Sequence, residues 1–158
     1  MNKYFNLLSI ALFIITFSDI NGQTCANFHK TSKCYVFDPA EPDFKMYGQS
    51  TSGLLEIRRT FSYNVVFYGG MDYKFSVCSY DNLKPIHFVL IDKETGETLY
   101  DNETEEYNEA ISFTIDETKS VTIKITALAK KVDVQAAKDL RGCVGIVILW
   151  KKVPQVGF

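Results

Sequence analysis

Apolar and polar residues alternate along several short segments of the chain, and this two-residue period is typical of β-strands with one buried face. The segments that alternate, or that are dense in apolar and β-branched residues, are 54–58, 60–67, 73–78, 86–92, 97–100, 110–115, 120–126 and 143–150. Residues 86–92 are apolar on both faces in their second half, which predicts a strand in the middle of a sheet. The pattern predicts about eight strands.

Turn residues separate the predicted strands. The glycine pair at 69–70 predicts a tight turn that joins the second and third segments as a hairpin. Residues 93–96 and 116–119 predict two further turns, and residues 127–140 predict a long excursion with about one helical turn. Strands and helices do not alternate, so we predict an all-β fold, an antiparallel β-sandwich of the jelly-roll kind.

The start of the chain has the pattern of a secretory signal peptide. Lys3 precedes an apolar run at residues 7–17, which is shorter than the roughly twenty residues that cross a bilayer. A retained membrane anchor and a lipid-modified Cys25 are the alternatives to cleavage near Gly22. The predicted division of the chain is a signal peptide at 1–22, an irregular N-terminal arm at 23–43 and a β-sandwich domain at 44–158.

The charge and the hydropathy of the sequence bear on which kinds of partner and which location we expect. The formal net charge is −2, and removal of residues 1–22 takes away Lys3 and Asp19 and leaves it unchanged. Binding to nucleic acid requires a basic stripe, so we expect no nucleic-acid partner. No second apolar run reaches spanning length. We therefore expect a soluble protein that is secreted or periplasmic, with no membrane span in the mature chain.

Four cysteines lie after the predicted signal peptide, at Cys25, Cys34, Cys78 and Cys143. An even number in an exported chain indicates two disulfides. Of the three possible pairings we favour Cys25 with Cys34, which ties down the arm, and Cys78 with Cys143, which joins a middle strand to the last one. The spacings do not match those of a zinc site.

Few residues in the sequence suggest a catalytic site. Residues 48–53 (GQSTSG) resemble a GxSxG nucleophile elbow, but Ser52 stands where the second glycine belongs. The two histidines are His29, expected to be solvated in the arm, and His87, expected to be a packed or edge residue of a strand. We therefore predict that the protein is not an enzyme and assign no catalytic residue.

An acidic stretch at residues 101–109 is the clearest candidate for a site, because Ca²⁺ binds several oxygen ligands from one loop. The candidate ligands are Asp101, Asn102, Glu103, Glu105 and Glu106. The stretch lacks the spacing and the glycine of an EF-hand, and a solvated acidic turn is the alternative. Residues 102–104 also form an N-glycosylation sequon, which matters only in a eukaryotic secretory route. No other cofactor is predicted.

Tyrosines are a second candidate feature. Alternate residues of a strand face outward, so some of the many aromatic residues are expected on the surface. The candidate ligand-facing residues are Tyr68, Tyr80, Tyr100 and Tyr107. Together they are a candidate platform for a sugar or a peptide, and ordinary packing in the sandwich is the alternative.

Seven short motifs carry a family resemblance: FYGG at 67–70, DY at 72–73, VC at 77–78, ID at 91–92, TGE at 95–97, LYDN at 99–102 and GCVG at 142–145. They resemble a group of uncharacterised exported proteins of Bacteroidetes-type bacteria. The order of a strand, a D-x-x-T-G turn, an acidic loop and closing strands is similar to that of bacterial pre-peptidase C-terminal-like jelly-roll domains. The resemblance implies a role in the periplasm, in the cell envelope or outside the cell.

The function that we predict from these features is a non-catalytic binding or assembly module. Its partner would be a protein or a glycan of the cell envelope. A structural or accessory component of the envelope is the first alternative. A GOLD-like cargo-binding domain is the second, although such proteins continue into a coiled coil and a membrane span, which this sequence lacks.

Overall fold

The structure is a computed structural model that describes residues 25–129 and 140–154. The predicted signal peptide and residues 130–139 of the predicted excursion lie outside the described residues. The strands are β1 (Lys45–Met46), β2 (Thr51–Glu56), β3 (Thr60–Phe67), β4 (Met71–Ser79), β5 (Ile86–Asp92), β6 (Thr98–Asp101), β7 (Ala110–Ile115), β8 (Lys119–Ala127) and β9 (Arg141–Lys152). Short 3-10 turns span Phe28–Lys30, Asp81–Leu83 and Asn102–Glu105.

The strands form two antiparallel sheets, which confirms the predicted all-β sandwich. In sheet A, β9 pairs with β1 and β2 along one edge and with β4 along the other, and β7 follows β4. Sheet B has the order β3–β8–β5–β6. No helix among the described residues is long and apolar enough to span a membrane.

The core lies between the sheets and is built from the alternating apolar side chains. Tyr73 and Phe75 of β4 are buried against sheet B, where the ring centroids of Phe75 and Phe88 lie 5.0 Å apart. Phe113 of the outer strand β7 is only half buried, but its ring meets that of Phe67 at 5.2 Å. The burial pattern follows the two-residue period, as expected for strands with one face inward.

The predicted hairpin at 69–70 is wrong, because β3 belongs to sheet B and β4 to sheet A. The chain crosses between the sheets here, and it does so again between β7 and β8. The two crossings touch: the N–H of Gly70 donates to the carbonyl of Ile115 at 2.7 Å, and a Cβ on Gly69 would lie 2.5 Å from the carbonyl oxygen of Asp116. The two glycines allow this close approach. The glycine pair marks a tight turn without showing which strands pair.

The predicted disulfide pairing is also wrong. The bonds are Cys25–Cys143 and Cys34–Cys78, so each joins the N-terminal arm to a strand of sheet A. Cys78 lies opposite Gly145 on the neighbouring strand, not opposite Cys143. The arm crosses this outer face of the sheet, and each strand cysteine bonds to it.

His29 is buried beneath the arm, where its Nδ1 lies 2.9 Å from Ser52 Oγ. The expectation that it is solvated is therefore wrong. Burial, together with the charge of Lys30, lowers the pKa of His29. The arm is thus held by two disulfides and by a buried polar contact with β2.

Gly145 should be a sensitive position of the fold. A Cβ there would lie 2.6 Å from Cys78 Sγ, 2.9 Å from Cys34 Sγ and 3.0 Å from the Cα of His29. We expect Gly145→Ala to lower the free energy of unfolding by about 1–3 kcal/mol, as overpacking does. The measurement is denaturant unfolding of the oxidised protein.

The matched control is Gly48→Ala, since a Cβ at Gly48 meets nothing within 4 Å. Equal losses in the two variants would contradict this account of the arm.

Candidate binding cleft

One side of the sandwich is closed by side chains that join the two sheets. The hydroxyl of Tyr47 donates to the carbonyl of Val66 at 2.7 Å, and the N–H of Val66 donates to Gln49 Oε1 at 3.0 Å. Tyr63 reaches back from β3 and donates to the carbonyl of Gln49. These bonds satisfy the backbone N–H and carbonyl of Val66 on the outer edge of β3. This edge of sheet B is therefore covered by residues that adjoin sheet A.

The opposite side of the sandwich is open, and a cleft of about 490 Å³ lies between β7 and the β5–β6 hairpin. The apolar residues that line it from these strands are Leu90, Leu99, Tyr100, Ala110, Ile111, Phe113 and Ile115. Leu99 is 41% exposed, so part of this apolar lining is open to solvent. An open apolar cleft with a few polar groups at its margin is the usual form of a binding site.

The margin of the cleft is acidic. Five carboxylates lie at the end of β6 and in the loop that follows it: Asp101, Glu103, Glu105, Glu106 and Glu109. Glu105 itself lines the cleft and accepts a hydrogen bond from the Tyr100 hydroxyl at 2.8 Å. Burial of the Tyr100 hydroxyl, together with this bond, raises its pKa to about 12. The tyrosine therefore stays a neutral donor that holds Glu105 in place.

Two lysines lie near this margin, and both are paired with acids. Lys84 Nζ lies 2.8 Å from Glu109 Oε2, and Lys119 Nζ, which lines the cleft, lies 3.1 Å from Asp92 Oδ2. Asp92 also caps the β5–β6 turn, because its Oδ1 accepts the N–H groups of Glu94 and Thr95 at 2.9 and 3.2 Å. The bonds from Thr95 and Glu94, followed by the contact with Lys119, hold the pKa of Asp92 below its usual value.

Asn102 anchors the acidic loop rather than facing a ligand. It is fully buried: Nδ2 donates to the carbonyls of Ile86 and Asn108 at 2.9 and 3.0 Å, and Oδ1 accepts the N–H of Phe88 at 2.8 Å. Its amide nitrogen, which a glycan would modify, therefore lies inside the folded protein. Burial of this kind is not visible in the sequence, where the asparagine lies among acids.

The five predicted calcium ligands do not gather around one point. Asp101 and Glu103 lie together with His87, and one potential ligand atom of each is within 4.8 Å of the others. Ca²⁺ takes six to eight oxygen ligands, whereas a histidine nitrogen beside two carboxylates is more typical of a transition metal. Calcium binding stays a prediction from the sequence.

His87 was predicted as a packed or edge residue of a strand, but its pairing with Asp101 was not predicted, because the two lie in different strands and their contact depends on the β5–β6 register. Its Nε2 lies 2.8 Å from Asp101 Oδ1. Partial burial acts to raise the pKa of Asp101, but hydrogen bonds from Glu103 N–H and His87 outweigh it and the pKa is lowered. Glu103 in turn accepts a bond from the Tyr107 hydroxyl at 3.0 Å.

The four predicted surface tyrosines have contacts in different parts of the fold. Tyr100 lines the cleft, and Tyr107 meets the ring of His87 at 6.1 Å beside it. Tyr80 packs instead against Phe28 of the arm at 5.1 Å. Tyr68 is 52% exposed and meets Tyr47, on the closed side, at 6.5 Å. Tyr100 therefore belongs to the candidate site, and Tyr107 lies in the acidic loop at its margin.

Comparison with known proteins adds little. No family model matches the chain, and no curated protein matches it. One similar solved structure is PliG of Aeromonas hydrophila, a periplasmic lysozyme inhibitor of g-type lysozyme, with a TM-score of 0.45 and 10% identity over 65% of this chain and 84% of that one. We draw no functional argument from a likeness at this level.

The role of Asn102 can be tested with a change of one atom. Asn102→Asp would set a carboxylate against two carbonyl oxygens, and we expect it to lower the free energy of unfolding by about 3 kcal/mol, as the loss of buried hydrogen bonds does. The control is Asn108→Asp on the exposed part of the same loop, which should change stability little. Equal losses would contradict the anchoring role.

Asp92 should give stability that depends on pH. Its pKa is lower in the folded protein than in the unfolded chain, so its contribution is present above the unfolded value and is lost as the pH falls through the folded value. We expect Asp92→Asn to be less stable than the parent at pH 7. The difference should begin to shrink near pH 4 and go on falling as the pH is lowered through the folded value, which lies below the unfolded one. Unfolding of both proteins between pH 7 and pH 3 measures this, and a constant difference would contradict it.

Proposed function

We propose that this protein is an exported, non-catalytic binding module that holds a partner protein at the open side of its sandwich. The observation that carries the proposal is the contrast between the two sides. Tyr47 and Gln49 close one side by hydrogen bonds to β3, whereas the other is an apolar cleft between two outer strands. Exposed apolar surface of this kind marks an interaction site.

The chemistry of the lining supports binding rather than catalysis. The titratable side chains that face the cleft besides Tyr100 are Glu105 and Lys119, and each has a partner that fixes it. The rest of the lining is mainly hydrocarbon. A cleft of this composition buries apolar groups of a ligand, and its few polar groups orient the ligand.

The disulfides support a location outside the cytoplasm. All four cysteines are paired, and both bonds join the arm to sheet A. Such bonds form and persist in oxidising compartments and are rare in the cytosol. This fits the predicted signal peptide, and together they favour a partner in the periplasm, the envelope or the medium.

Photo-crosslinking can test the proposal with a matched pair of positions. Leu99 in the cleft and Leu54 on β2 are both 41% exposed. We expect a photoreactive amino acid at Leu99 to form an adduct with a specific protein in the extracytoplasmic fraction of the source cells. The same group at Leu54 should form none.

Competition makes the test specific. Excess unlabelled protein should suppress the Leu99 adduct, whereas excess protein with Leu99→Glu, which places a charge in the cleft, should not. Equal crosslinking from Leu99 and Leu54, or no adduct from Leu99, would overturn the proposal.

A further inference from the structure

The outer edge of β7 is a row of backbone groups that face away from its sheet. The carbonyls of Glu109 and Ile115 accept bonds from the β4 side, donated by Val77 and Gly70 at 2.9 and 2.7 Å. In an antiparallel pair, alternate residues point their backbone groups to opposite edges. Ser112 is three residues from each of them, which is an odd number. Its N–H and C=O groups therefore point outward, away from β4.

β7, the outer strand of sheet A, lacks the protection that the outer strands of sheet B have. The edge of β3 is bonded to Tyr47 and Gln49, and β6 is four residues long with a register shift opposite Leu90 and Ile91. β7 has six residues, with neither a charge nor a proline among them. Proteins commonly shield such edges, because an exposed edge is a template for another strand.

Space for the side chains of an added strand exists on both faces of β7. The cleft lies on the core side. A second groove of about 400 Å³ lies on the outer face, between β7 and the arm, and both are lined by Ala110, Ile111 and Ser112. Val36, at the margin of the outer groove, is 74% exposed. Because the side chains of a strand alternate between its faces, an added strand would place apolar groups in each space.

The charge at the ends of β7 favours one kind of added strand over another. Glu105, Glu106 and Glu109 precede β7, the last of them paired with Lys84, and Asp116 and Glu117 follow it. If β7 paired antiparallel with β7 of a second copy, the acids before one strand would lie beside those after the other. This repulsion disfavours self-pairing and favours a segment with basic ends.

We propose that β7 binds its partner by strand addition, and that the partner contributes an extended segment with apolar groups on both faces, flanked by lysine or arginine. This inference rests on the proposed function and names the kind of partner. Main-chain hydrogen bonds to the edge would provide affinity, and the two apolar spaces with the acidic ends would provide specificity.

The probe is a synthetic ten-residue peptide in which valine and threonine alternate between two lysines at each end. A matched peptide has two glutamates at each end instead. We expect the lysine-flanked peptide to bind the oxidised protein at least tenfold more tightly by fluorescence anisotropy, and to weaken as salt rises. Equal binding of the two peptides would overturn the charge assignment.

Ser112→Pro separates strand addition from other modes of binding. Because the N–H of Ser112 points away from β4, proline removes an outward donor and no bond of the sheet. We expect affinity for the lysine-flanked peptide to fall at least tenfold, with the melting temperature within a few degrees of the parent. Ser112→Ala, which keeps the N–H, should bind like the parent. If Ser112→Pro melts much lower, N-methylation within the peptide backbone provides the same test on the unchanged protein.

The outcomes distinguish the two proposals. If the Leu99 adduct forms but is unaffected by Ser112→Pro and the peptide does not bind, strand addition is wrong and the cleft-binding function stands. If the peptide binds and Leu99 forms no adduct, the proposed function fails while the edge still recognises strands. A dimer in sedimentation that Ser112→Pro abolishes would overturn the assignment of a separate partner.

Discussion

The close approach of the N-terminal arm to β9 at Gly145 is the constraint on which much of the structure depends. With no side chain at this position, the sulfurs of Cys34 and Cys78 and the backbone of His29 lie directly over the strand. Both disulfides then fix the arm across the outer face of sheet A. One missing side chain thus allows 20 residues of irregular chain, from Cys25 to Phe44, to act as a covering layer.

The arm also shapes the surroundings of the candidate site. The disulfide-bonded part of the arm ends at Cys34. The next residues, Tyr35 and Val36, line one wall of the groove beside β7. The edge of β7 is therefore bordered by the sandwich cleft on one face and by the arm on the other. A disulfide formed far from β7 in the sequence determines what an incoming strand would meet there.

The sequence was sufficient to predict the sandwich and eight of the nine described strands, because alternation reports which face of a strand is buried. The two-residue strand β1 was not predicted, and β2 begins at Thr51 rather than at Leu54. It did not predict how the strands pair. The turn at Gly69–Gly70 is equally compatible with a hairpin and with a crossing between sheets, since both need the conformational freedom of glycine. The contact with Asp116, which distinguishes the two, is seen only in the structure. The disulfide pairing depends on the path of the arm across sheet A. The sequence of the arm has no periodic pattern from which that path could be predicted.

The candidate site was predicted only in part, for a related reason. The acidic loop was recognised from composition, but the burial of Asn102 and the pairing of Asp101 with His87 depend on the register of β5 against β6. The cleft itself is not a sequence feature. Ile111, Phe113 and Ile115 have the pattern of ordinary core residues, and they are half exposed only because no strand follows β7 in its sheet.

An edge strand exposes a protein to aggregation as well as to binding, and the acids around β7 affect both. Those that precede β7 lie in a loop that Asn102 anchors to β5, so their charge keeps its position relative to the edge, and Asp116 and Glu117 follow β7 in its connection to β8. Fixed negative charge at both ends repels a second copy of the same strand and attracts a basic one, whereas a neutral edge would accept either. The buried amide of Asn102 therefore contributes to specificity without contact with the partner, because it holds in place the charges that distinguish one strand from another.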